Sequence, residues 1–160
     1  MRRSMLHGWL SSHILLLVVL VLGASGCTVR LIGSYDEQID KSVTALQQKV
    51  DTFLVKLAGE HSPECTYEQH KQFYEEATVD LSGIKVRAEA IPNNSITVQQ
   101  IDLLASSLND IEKLHQLKSA KPAGKNCLSA EEIEPIRQSM NTSFTAILKL
   151  ELVKKRGDVK

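Results

Sequence analysis

From Ser34 onward, apolar residues return at alternating steps of three and four, and the spacing predicts four amphipathic helices. The first stripe is Ile39, Val43, Leu46, Val50, Phe53, Leu54 and Leu57, opened by Ser34-Tyr35-Asp36-Glu37 and stopped by Gly59. In that opening the Ser34 hydroxyl and the Glu37 carboxylate are expected to take up backbone donors of the first turn as a capping box. Thr66 opens the second helix, with Tyr67, His70, Tyr74, Ala77, Leu81, Ile84, Ala88 and Ile91 inward and Pro92-Asn93-Asn94 as its end. Thr97-Val98-Gln99-Gln100 is read as the start of the third. Its stripe is Ile101, Leu104, Leu108, Ile111, Leu114 and Leu117, ended by Lys121-Pro122-Ala123-Gly124. Ser129-Ala130-Glu131-Glu132 is read as the start of the fourth, whose stripe is Ile133, Ile136, Met140, Phe144, Ile147 and Leu150. Pro135 lacks the amide proton an internal turn needs, so a kink or a detached first turn is expected there.

Each stripe occupies one helix face, so the four helices share one core. Short connections favour antiparallel neighbours. The expected fold is all-α, an antiparallel up-down-up-down four-helix bundle over residues 34–160. Strand signals, internal repeats and low-complexity tracts are missing from the pattern.

The first residues follow another logic. Met1-Arg2-Arg3 is basic, Ile14 to Leu22 is continuously apolar, and small residues then lead to Ala24-Ser25-Gly26-Cys27. A spanning helix wants roughly 20 apolar residues, and Ser11, Ser12 and His13 before the run with Arg30 after it leave fewer, so the segment reads as a signal peptide. Its ending resembles the lipobox of bacterial lipoproteins, with Ala24 where that family usually carries Leu, Val or Ile. The resemblance implies cleavage after Gly26, acylation of Cys27 and a lipidated linker at 27–33, with two or more acyl chains giving stable attachment to a bilayer. Thr28 in place of Asp after the Cys implies, by the same resemblance, the outer membrane with the domain in the periplasm. The other readings of the segment are a retained N-terminal anchor and an ordinary secretory signal.

The whole chain carries 19 basic and 19 acidic side chains, and loss of Arg2 and Arg3 with the signal leaves a slight acidic excess. That balance gives no basic surface for nucleic acid. Lys154-Lys155-Arg156 is the one basic stretch, expected as a cationic helix end complementing the macrodipole and followed by a frayed tail, with contact to anionic lipid or cell-wall material as the other reading. The acidic groups at Asp36-Glu37-Asp40 and Glu131-Glu132-Glu134 sit at expected helix starts, for the same reason.

Cys65 falls in the first connection and Cys127 in the third, which an antiparallel bundle places at one end. In an exported chain a Cys65–Cys127 disulfide follows. It closes a loop of about 60 residues and is expected to stabilise by roughly 4 kcal/mol. His61, His70 and His115 belong to the same end, away from Cys27, and are the candidate metal ligands. Glu112-Lys113-Leu114-His115 has the Glu-x-x-His spacing of carboxylate-bridged metal bundles, but those sites need the motif twice and it occurs once. A hydrogen-bonded structural role is the simpler reading of His70 on the core stripe. No phosphate loop, nucleophile elbow, zincin helix or c-type haem motif occurs, so neither a catalytic set nor a cofactor is expected.

The phrases Tyr35-Asp36-Glu37-Gln38-Ile39-Asp40-Lys41, Thr97-Val98-Gln99-Gln100 and Ile147-Leu148-Lys149-Leu150-Glu151-Leu152 are similar to those of small helical lipoproteins of Gram-negative bacteria. That resemblance implies no chemistry. The expectation is a non-enzymatic accessory or adaptor of an envelope assembly, with the bilayer and an envelope protein as partners. The alternative is a ligand- or metal-binding bundle using the histidine end.

Overall fold

The computed structural model describes residues 32–158. The signal-like segment, its Cys27 and the linker up to Leu31 lie outside the described residues. Helix α1, Glu37–Ala58, is capped by Asp36, whose carboxylate accepts from the Ile39 N–H at 2.9 Å. Asp36 takes the place expected for Ser34. A charged acceptor nearer the first turn satisfies the orphan donor, and Glu37 pairs along the helix with Lys41 at 2.8 Å.

Helix α2, Tyr67–Glu89, follows Thr66, whose hydroxyl donates back to the Pro63 carbonyl at 2.9 Å. Its first amide, that of Tyr67, donates instead to the Ser119 hydroxyl at 2.7 Å, so the end of one helix caps the start of another. Helix α3, Ser95–Ser119, starts earlier than the Thr97 expected, and Thr97 is buried in its first turn. Helix α4, Ala130–Asp158, starts where expected and opens on a capping box: the Ser129 N–H reaches Glu132 Oε2 at 2.9 Å and the Glu132 N–H reaches the Ser129 hydroxyl at 3.3 Å. Pro135 lies within α4 without detaching its first turn. That turn is held from both sides, by the box, by the Lys118–Glu132 ion pair and by Ile133, which is buried.

These residues form an all-α four-helix bundle in which α1 and α3 each pack against both α2 and α4. Early residues of each helix meet late residues of its neighbour. Arg87 grips Asp36 with two bonds of 2.7 and 2.8 Å, and Arg137 reaches Asp51 at 2.6 Å. Such half-exposed pairs fix register more than they stabilise.

All seven residues of the α1 stripe are buried. On α2 the buried set is His70, Tyr74, Ala77, Leu81, Ile84 and Ala88, with Tyr67 and Ile91 packed partly against the core. Each fully buried Leu, Ile or Phe contributes roughly 1.5–3 kcal/mol. The stripes of α3 and α4 depart from expectation at their C-terminal ends. After Ile111 the inward position falls on His115, while Leu114 is 37% and Leu117 68% exposed. After Ile147 it falls on Glu151 and Lys154, while Leu152 and Val153 face solvent. In both helices the core face continues at steps of four and three regardless of the side chain it meets there.

Candidate functional site

Two polar constellations interrupt the core, one at each end of the bundle. The first is built around the disulfide. Cys65 and Cys127 are bonded, with Cα atoms 5.5 Å apart and a sequence separation of 62. The carbonyl of Cys65 only accepts, so the Nε2–H of His115 donates to it, at 2.8 Å. In the neutral ring Nδ1 is then the acceptor for the Tyr74 hydroxyl, 3.0 Å away. Burial pushes the His115 pKa down, with the nearby His70 adding to that, and pushes the Tyr74 phenol up. His115 is therefore a neutral bridge between α2, α3 and the disulfide loop.

His70 is bonded to Glu60 through Nε2 at 2.6 Å and meets Phe53 edge-on at 5.4 Å. Its ring lies 5.9 Å from that of His115. His61 is exposed on the connecting loop, where its carbonyl accepts from the Cys65 N–H at 3.1 Å. Glu112, the partner of His115 in the Glu-x-x-His spacing, accepts instead from the Tyr67 hydroxyl at 2.8 Å, which raises that phenol's pKa. Among the described residues no group of three or more His, Cys, Asp or Glu converges on a point where a metal ion fits. The structure thus brings His70 and His115 together and turns both toward protein partners.

The second constellation was not foreseen from the pattern. At the opposite end, Lys154 on α4 is 3% exposed and its ammonium donates to three acceptors. These are Asn94 Oδ1 at 2.6 Å, Thr97 Oγ1 at 2.7 Å and Glu151 Oε1 at 2.5 Å. Thr97 also donates to Glu151 Oε1, at 3.2 Å. Asn94 holds the N-cap position of α3, yet its side chain makes no cap bond. Its Nδ2 donates to the Ala88 carbonyl at 2.9 Å, which aims Oδ1 at Lys154. Glu151 is fully buried, and its Oε2 has no hydrogen-bond partner among the described residues. Gly33 closes over the cluster: a Cβ there would lie 2.9 Å from Asn94 Oδ1.

Lys154 is therefore a buried ion-pair partner and not simply part of the cationic helix end expected of Lys154-Lys155-Arg156, and α4 stays helical to Asp158 where a frayed tail was expected. One signal was available in the sequence. Glu151 and Lys154 continue the steps of Met140, Phe144 and Ile147, which is the inward phase. Beside the cluster Tyr35 is half-buried, with its hydroxyl on Asp40 at 2.9 Å and Lys155 over its ring at 5.1 Å. The Asp40 carboxylate accepting from it pushes its phenol up to about 12.

No protein-family model, curated protein or solved structure matches the chain.

Proposed function

We propose that this chain is a lipid-anchored envelope protein. Its up-down-up-down bundle is tethered through acylated Cys27 to the periplasmic face of the outer membrane and serves as a non-enzymatic accessory or adaptor. The observation that carries the reading is the run Leu22-Gly23-Ala24-Ser25-Gly26-Cys27 behind an apolar stretch, placed directly before the described bundle. The Cys65–Cys127 disulfide supports it, because such bonds persist in oxidising compartments. So does the chemistry of the histidine end, where His70 and His115 are held by Glu60, Tyr74 and Cys65. Those groups serve the fold, so the ligand- or metal-binding alternative gains nothing from them.

The test is metabolic labelling with a palmitate analogue in a Gram-negative host, followed by membrane fractionation. Label and membrane association in the wild type, both lost in Cys27→Ser, are the expected result. Equal labelling of the two proteins overturns the anchor. For the adaptor role, crosslinked envelopes are purified on the tagged protein and compared with Cys27→Ser. Enrichment of no membrane or wall component counts against it.

A further inference from the structure

A buried amine, amide and carboxyl meet at the Asn94 end. Lys154 Nζ is 2.6 Å from Asn94 Oδ1. The amide carbon Cγ is one C=O bond further, about 1.23 Å, and so lies within about 3.8 Å of the amine, beside the roughly 3–3.5 Å of a near-attack arrangement. Glu151 Oε1 is 2.5 Å from the same Nζ and placed to take its proton. The Ala88 carbonyl holds Nδ2, the leaving nitrogen, on the far side of the amide. Asn94, Glu151 and Lys154 are all at least nine-tenths buried, so water does not compete for the carbonyl carbon.

Stability alone does not favour this choice of residues. A buried ion pair rarely improves on apolar side chains, and the same turn of α4 leaves Leu152 and Val153 at the surface, 45% and 54% exposed. The Asn94 side chain is also diverted from the cap of α3 that its position invites. Gly33 lies against the Asn94 side chain and admits no Cβ there.

We propose that Lys154 and Asn94 are joined by an intramolecular isopeptide bond formed by the protein itself, with Glu151 as proton carrier. Glu151 Oε1 accepts a proton from the Lys154 ammonium, and the freed Nζ lone pair adds to Asn94 Cγ. The carbonyl electron pair moves to Oδ1 and returns as the Cγ–Nδ2 bond breaks. Nδ2 departs with the proton relayed by Glu151, and the second proton shed by Nζ leaves with it as ammonium. One C–N bond forms, one breaks, and no oxidant, reductant or activated donor is needed. The buried charge of Lys154 is removed, and the end of α4 is tied covalently to the connection between α2 and α3. Thr97, which accepts from Nζ and donates to Glu151, is a positioning residue.

The full-length protein, extracted from membranes in detergent, reduced and alkylated, is digested with trypsin and sequenced by tandem mass spectrometry. The expected product is one branched peptide joining Ala88–Lys113 to Leu150–Lys155, lighter than the two together by one ammonia and uncut after Lys154. Recovery of Ala88–Lys113 and Leu150–Lys154 as separate peptides overturns the proposal. So does loss of ammonia confined to Ala88–Lys113, which is the mark of a succinimide at Asn94. Glu151→Gln is expected to abolish the branched peptide while keeping the helical circular dichroism. Undiminished linkage in that variant removes Glu151 as the proton carrier. The wild-type digest decides the bond itself, whether or not the variant folds.

Discussion

His115 shows how one buried side chain ties protonation to folding. Burial favours the neutral ring, in which Nε2–H donates to the Cys65 carbonyl and Nδ1 accepts from the Tyr74 hydroxyl. Burial lowers its pKa from the ordinary 6.5 and His70 lowers it further, while the Cys65 carbonyl and Glu60 act in the opposite direction. Below that ordinary value the unfolded chain binds a proton that the folded chain resists, so stability falls with acidification. The contribution is complete above about pH 6.5 and is lost as pH falls toward the depressed native value. Urea unfolding is therefore expected to give a lower midpoint at about pH 5.5 than at about pH 8. His115→Gln is expected to be weaker at the higher pH by roughly 1–3 kcal/mol, from hydrogen bonds lost or misplaced. It should also flatten the difference between the two. An unchanged pH dependence in the variant would show that other groups carry it.

At the scale of helices, capping and phase were legible to different degrees. The α1 stripe could be read in full because every inward position is apolar, and the start of α4 at Ser129 because its capping partner Glu132 is local. The start of α1 was misplaced: Asp36 and Ser34 are both acceptable caps, and Arg87, a residue 51 positions away, secures Asp36. The α4 ending was missed for a related reason. Periodicity puts Lys154 in the inward phase, but the acceptors that make its burial possible, Asn94 and Thr97, lie 60 and 57 positions away and leave no local signal. The same applies to His115, whose partner carbonyl is 50 positions away. Hydropathy therefore followed Leu114 and Leu117 outward, where an inward histidine held the phase. The capping difference is measurable by chemical denaturation. Ser129→Ala is expected to cost about 1 kcal/mol, whereas Ser34→Ala stays within about 0.5 kcal/mol. Equal losses would return Ser34 to the capping role.

For the whole molecule, the two ends are secured by different chemistry. Near the connections of α1 to α2 and α3 to α4, the Cys65–Cys127 bond ties together segments 62 residues apart. At the other end Lys154 gathers α4, the start of α3 and the turn before it. One apolar core runs between them and takes in Cys65 and Tyr74 at the disulfide end. Reducing the disulfide thus leaves the core and the Asn94 end in place while restoring freedom to the unfolded chain. A loop of this length corresponds to about 4 kcal/mol in the chain-entropy treatment. Oxidised and reduced wild-type protein are expected to share their far-ultraviolet circular dichroism but differ in unfolding free energy by about that amount. In the reduced protein, amide exchange is expected to rise first at residues 59–66 and 120–129, because their connections lose the covalent bond directly. Coincident urea curves for the two forms would mean that His115 and the aromatic contacts around it already hold that end, with the disulfide adding nothing to stability.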